Sequence, residues 1–431
     1  MTVFHIAAVL LALAASIGYI NHRLLKLPHT IGLMVITLGL SLGVIVFDAL
    51  APGLGIKQAL KEAVEGVDFS TTLLQVMLCF MLFAGALHVK LEHLLERKWT
   101  IGTLATAGVL ISTAIVGGLA WLIFNKVFDL GVGFGPCLIF GALISPTDPV
   151  AVLGLLKTAR APASLEAKIA GESLFNDGVG VVLFTVLVAV FLPGEAGAHA
   201  VDSSMDVALL FLIEVAGGVA VGLAGGYLAF RLLKTIDHYQ LEVLITLALV
   251  MGINSLAVTF HFSGPLAVVL AGLLLGNYGK RFAMSHVTVD HMEKFWLLID
   301  EILNSVLFLL IGLEVFLIPM KEARILEAAL LIVPAVLLAR FISVSLPISL
   351  LSRWREFTRG VISILTWSGL RGGISVALVL SLKEIRAEDP RLHGLLIAST
   401  YAVVLFSVIV QGLTVKPLLK RFLKAPGVEG D

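Results

Sequence analysis

About thirteen predominantly apolar stretches follow one another along this 431-residue chain, each near the length that crosses a bilayer. A helix needs roughly 20 such residues to span the ~30 Å of hydrocarbon. The stretches lie near 3–20, 30–47, 69–89, 100–124, 133–156, 167–192, 206–232, 240–260, 264–279, 294–318, 325–350, 358–382 and 394–415. The chain between them is too short to fold as a separate soluble domain. Hydrophobic residues are 58% of the chain and charged residues 14%, against about 45–50% and 25% in soluble domains. Because lipid cannot satisfy backbone N–H and C=O groups, the expected fold is an all-α polytopic membrane protein.

Charge placement gives an orientation. Of thirty Lys and Arg, twenty fall in one set of alternate loops and eight in the other, with Arg340 and Arg371 inside spans. Cytoplasmic loops carry the excess, so the count is odd, the N-terminus outside and the C-terminus cytoplasmic. The first stretch has no basic leader, and Arg23 and Lys26 follow it, so it reads as a mature helix and not a signal peptide. A net charge of +0 without a basic stripe argues against a nucleic-acid partner. Cys79 and Cys137 sit in apolar runs and read as small core residues.

Two spans are interrupted. Pro146 and Pro149 fall in the fifth, where each removes a helical donor. Gly369, Gly372 and Gly373 surround Arg371 in the twelfth and weaken that helix. Irregular backbone survives at membrane depth only where it lines a cavity or is buried in protein. One break early and one late, each carrying a charge, is the pattern of inverted-repeat transporters, whose ion site lies where the broken helices cross. The sixth span adds Glu172, Ser173, Asn176 and Asp177 within six positions. One ionised side chain at the centre of a membrane helix costs roughly 2.5–3.5 kcal/mol, so two carboxylates need a cation, a proton or an arginine.

Six stretches in register then carry a resemblance. They are Ser145-Pro-Thr-Asp-Pro-Val-Ala-Val152, Gly171-Glu-Ser-Leu-Phe-Asn-Asp-Gly178, the run from His261 to Asn277, Leu307-Phe-Leu-Leu-Ile-Gly-Leu-Glu314, Gly369-Leu-Arg-Gly-Gly373 and Val410-Gln-Gly-Leu-Thr-Val-Lys-Pro417. The chain resembles the monovalent cation/proton antiporters of the NhaP and NHE type. The resemblance implies a homodimer in lipid in the bacterial inner membrane, with a single membrane domain over 1–424 and a short tail at 425–431. A six-helix core would occupy about 100–192 and 325–420, with dimerisation helices at about 1–89 and 206–318.

Helical geometry sorts the sixth span: Ser173 and Asp177 share one face, and Glu172 and Asn176 another. Asp177 and Ser173 are therefore expected to face the ion, with Glu172 turned toward the core. By resemblance, Glu172 pairs with Arg371 and is capped by Asn176. Thr147 gives the transported sodium an oxygen, and Asp148 supports the site or balances helix ends. For Glu301 and Glu314 near the tenth span, and Arg340 in the eleventh, an ion funnel and salt bridges or helix-end positions are both open. His88 and His261 read as satisfied core or interface histidines. The third span departs from some family members, with Ala84 where an acidic residue can stand. The expected activity is electroneutral exchange of sodium, with lithium also accepted, for protons by competition at Asp177, with no cofactor and no enzymatic step. A potassium/proton antiporter of the same fold is the alternative, and a cation channel the reading from another class.

Overall fold

A computed structural model describes residues 3–50, 73–149, 152–154, 156, 163–192, 204–317, 322–354, 357 and 360–423. Residues 193–203 between the sixth and seventh stretches, the tail at 425–431 and the loop residues Lys57, Lys61, Lys157, Arg160, Lys321, Arg355, Arg359 and Lys424 lie outside them.

The described chain is helical: α1 (Val3–Ile20), α2 (His29–Leu50) and α3 (Leu78–His88), then α4 (Lys98–Val127). After the half-helix α5 (Phe134–Ile144) come α6 (Ala163–Phe191), α7 (Ser204–Leu233), α8 (Tyr239–Thr259), α9 (Gly264–Leu274), α10 (His286–Leu313) and α11 (Ala323–Leu351). The half-helices α12 (Val361–Ser368) and α13 (Gly373–Leu380) precede α14 (Pro390–Phe422). Among the described residues nine helices are long and apolar enough to cross a membrane, and each of the expected stretches contains helix. The last span begins at 390 and not at the apolar onset near 394. Asp389 caps it, accepting from Arg391 N and Leu392 N at 3.1 and 2.9 Å, with Pro390 following. A capping carboxylate and a proline at the first position set the start of a helix, whatever the hydropathy.

Burial orders the helices from periphery to centre. In the most apolar window, 67% of α6 and of α14 is buried, against 17% of α1 and 22% of α7. The outer helices present bare apolar side chains such as Phe4, Leu212, Leu228 and Met251, as a lipid-facing surface requires. Trp296 of α10 anchors the packing of α3, α8 and α9. Its ring lies 4.7 Å from that of Phe83, and its Nε1–H donates to Thr246 Oγ1 at 3.0 Å. A second cluster joins α4, α5, α11, α13 and α14 around Phe140, Ile332 and Tyr401. Cys79 and Cys137 are buried free thiols.

Both expected interruptions are present. The chain leaves α5 after Ile144 and runs without helix through 145–149, and α12 and α13 are separated by 369–372. The two irregular segments meet: Asp148 N donates to Leu370 O at 2.8 Å, an isolated antiparallel bridge. The broken spans thus cross at their breaks, in the middle of the helical bundle.

Candidate functional site

The crossing is built on mutual satisfaction of broken helix ends. Pro149 has no N–H to give the Ser145 carbonyl, and the donor arrives from the other broken span. Arg371 Nη1 donates to Ser145 O in a short contact and to Pro146 O at 2.8 Å. Ser145 Oγ in turn donates to Gly141 O at 2.7 Å. A guanidinium therefore sits at the C-terminal end of α5, where the helix dipole is negative. The converse holds at α13, whose N-terminal Gly372 lies against Asp148. A Cβ on Gly372 would collide with Asp148 Oδ2, so only glycine lets that carboxylate reach the positive end of α13. Each break supplies the charge that the other break's helix end needs.

Asn176 and Ser173 on α6 fix the same loop. Asn176 Oδ1 accepts from Thr147 N at 3.2 Å, and its Nδ2 donates to Thr147 Oγ1 at 2.8 Å. Ser173 Oγ donates to Thr147 O in a short contact. Ser173 was expected to face the ion beside Asp177. Its hydroxyl instead serves the Thr147 carbonyl and is absent from the cavity wall, because the non-helical segment presents an unpaired acceptor straight at α6.

Glu172 corrects a second expectation. Its partner is Arg340 of α11, not Arg371: Arg340 Nη1 and Nη2 donate to Glu172 Oε1 and Oε2 at 2.6 and 2.9 Å. Arg340 Nη2 also donates to Leu365 O at 3.1 Å. Arg371 is committed to the Ser145 and Pro146 carbonyls, and Arg340 meets Glu172 in the two-pronged geometry that guanidinium and carboxylate share. Asn176 Nδ2 reaches Glu172 Oε1 at 3.5 Å, so it touches the pair from the side while its main bonds go to Thr147. A lone arginine in the middle of α11 was the available signal, since an intramembrane cation needs a buried partner.

Asp177 is 4% exposed, and its Oδ1 is buried with no hydrogen-bond partner. It lines a cavity of about 1060 Å³ together with Thr147, Asp148, Asp300, Glu301, Asn304 and Ser375. The cavity is also lined by Lys26, Lys90, His93 and Lys416, all from the side richer in basic residues. Asp300 and Asn304 of α10 and Ser375 of α13 were not singled out from sequence. Asn304 Nδ2 donates to Asp300 Oδ1 at 3.0 Å, and the Ser375 hydroxyl and Asn304 Oδ1 are buried without partners. Glu301 lines the cavity; Glu314 does not. Its carboxylate is buried and accepts from Tyr401 OH at 2.7 Å, so the funnel role falls away for Glu314. His88 lines the cavity with Nδ1 2.7 Å from Ala84 O, and His261 occupies a left-handed turn at φ 55°.

Two broken spans cross beside a buried carboxylate oxygen without a partner, at the wall of a cavity, the arrangement found in membrane ion transporters. The family model for the sodium/hydrogen exchanger, transmembrane, matches residues 10–421. The chain is 45% identical to the Na(+)/H(+) antiporter NhaP of Pseudomonas aeruginosa over 98% of both chains. It is 35% identical to the Na(+)/H(+) antiporter NhaH of Halobacillus dabanensis over 96% of both. The structure of the sodium proton antiporter from Methanocaldococcus jannaschii at pH 8 superposes with a TM-score of 0.73 at 20% identity, over 97% of this chain and 98% of that one. The chain belongs to the sodium/hydrogen exchanger family.

Proposed function

We propose that this protein exchanges sodium, and lithium as well, for protons, with Asp177 holding either the cation or the proton. The observation that carries the reading is the Asp177 carboxylate, with its partnerless Oδ1, at the cavity wall beside Thr147 and Asp148. Burial penalises a bare charge, and sodium or a proton can each neutralise it, but not both together. Hard monovalent cations take oxygen ligands; Thr147, Asp148 and Ser375 can add theirs from the two broken spans. Relatives that are 45% and 35% identical over nearly the whole chain are named as Na(+)/H(+) antiporters, which supports sodium as the cation over potassium.

Asp177 shares its helix with no second uncompensated acid at the site, since position 176 is Asn176 and Glu172 is neutralised by Arg340. One carboxylate exchanging one proton for one monovalent cation is electroneutral. The core, about 100–192 and 325–420, moves against a scaffold of about 1–89 and 206–318 that forms a homodimer in the bacterial inner membrane. The basic residues Lys26, Lys90, His93 and Lys416 along the cavity support a mouth on the cytoplasmic side by the positive-inside rule, with the N-terminus outside.

The test is proton efflux from acid-loaded proteoliposomes on adding sodium, lithium or potassium chloride. Sodium and lithium should collapse the gradient, insensitively to an imposed membrane potential, and Asp177→Asn should fold normally and give no response. Exchange retained in that variant would remove Asp177 from its role, and a rate driven by potential would exclude one-for-one exchange.

A further inference from the structure

Lys168 is the one buried lysine among the described residues, 2% exposed. It lies near the start of α6, four residues before Glu172, on the side carrying the basic loops. Its ammonium sits 5.4 Å from the centre of the Phe357 ring, and the charge acting on it is Arg97, of like sign. No hydrogen bond or ion pair of the Lys168 side chain is present among the described residues. Arg97 occupies the elbow between the short helix Leu91–Glu96 and the start of α4 at Lys98, and its Nε is buried without a partner.

The elbow and α6 are in tight contact. A Cβ on Gly171 would lie 2.5 Å from Leu94 Cδ2 and 2.9 Å from Ile101 Cδ1, so α6 is seated on the elbow. Lys168, three residues before Gly171, shares that helix face. Two cations are thus gathered at one seam with donors to spare, and an uncompensated buried charge is costly. A phosphate oxyanion matches the pair: it takes the ammonium as a point charge and the guanidinium as a fork. Trp99, two residues past Arg97, and Trp354, three before Phe357, are 59% and 73% exposed, as aromatic side chains at the level of lipid headgroups are.

We infer that Lys168 and Arg97 form a binding site for a phosphate oxyanion, carried by an anionic phospholipid headgroup or free in solution. A bound phosphate ties α6, which bears Asp177, to the elbow that joins α3 to α4. Under the division proposed above, that elbow is the joint between scaffold and core.

The test uses the purified full chain, stripped of lipid in neutral detergent, with melting temperature and native mass spectrometry as readouts. The probes are phosphatidylglycerol, phosphatidylcholine and inorganic phosphate. Phosphatidylglycerol or phosphate should raise the melting temperature and phosphatidylcholine should not. Removing either cation, in Lys168→Gln or Arg97→Gln, should weaken binding roughly fivefold, and the pair together about 25-fold. Lys168→Arg should restore binding, and Lys234→Gln, an exposed lysine of the same face, should leave it unchanged. Should Lys168→Gln fail to fold, Arg97→Gln carries the test alone. A response to the phospholipid alone identifies the headgroup as the source, and a response to inorganic phosphate identifies a free-anion site. Equal binding by wild type and both variants, or no preference over phosphatidylcholine, would overturn the inference. Because none of these readouts depends on transport, they stand or fall separately from the exchange reaction.

Discussion

Replacing Arg340 with methionine keeps the length of the side chain and removes the partner of a buried carboxylate. Arg340 and Glu172 are 7% and 2% exposed and share two bonds of 2.6 and 2.9 Å. Without them the nearest donor to Glu172 is Asn176 Nδ2 at 3.5 Å. Breaking one side of a buried pair costs about 3–5 kcal/mol, whereas replacing both partners by apolar or neutral groups is often close to neutral. Arg340→Met is therefore expected to lose ~3–5 kcal/mol, and Arg340→Met with Glu172→Gln much less than the sum of the single variants. The coupling should exceed ~2 kcal/mol, well above the ~0.5 kcal/mol within which independent sites add. Arg371→Met instead strands the Ser145 and Pro146 carbonyls, at about 1–3 kcal/mol each, and leaves the Glu172 pair intact. The assay is a double-variant cycle from denaturant unfolding in mild detergent, with Glu172→Gln against each arginine in turn. A coupling of Glu172 to Arg371 equal to or larger than its coupling to Arg340 would refute the assignment.

Two further outcomes concern Asp300, at the cavity wall, and Glu314, away from it. Asp300→Asn removes one charge from its wall without touching Asp177, and should raise the KM for sodium about fivefold, the weight of ~1 kcal/mol, with the maximal rate within about twofold; a lost maximal rate would place Asp300 at the binding step itself. Tyr401→Phe strands the buried Glu314 carboxylate and should cost ~1–3 kcal/mol in thermal or denaturant stability while leaving the sodium KM unchanged, and a shifted KM would return Glu314 to the ion path.

The spans were legible because lipid leaves the backbone one solution, and the breaks because proline and glycine act locally on the helix. Asp177 stood out for the same reason: a carboxylate in an apolar run has no structural excuse that composition can hide. The partner of Glu172 was not legible. Helical periodicity gives the face that Glu172 occupies but not which neighbouring helix lies against it, and Arg340 and Arg371 are both lone cations inside spans. Ser173 was misdirected because the Thr147 carbonyl becomes an acceptor only once the fifth span has unwound. Asp300 and Asn304 passed unnoticed since α10 also carries Asp290, Glu293, Lys294 and Glu301, a pattern shared by any helix with one polar face. Glu314 closes a Gly-Leu-Glu turn at a helix end, and only the approach of α14 reveals that Tyr401 claims it.

The claim at the centre is competition of sodium and a proton for one carboxylate. It is tested most directly by the rate of sodium-driven exchange in proteoliposomes, measured against sodium concentration at a series of symmetrical pH values. On the acid limb the KM for sodium should rise about tenfold for each unit that the pH falls, as linkage at a single shared site requires, while the maximal rate stays constant. A maximal rate that falls with pH at constant KM would contradict competition and place the proton's effect at a site other than Asp177.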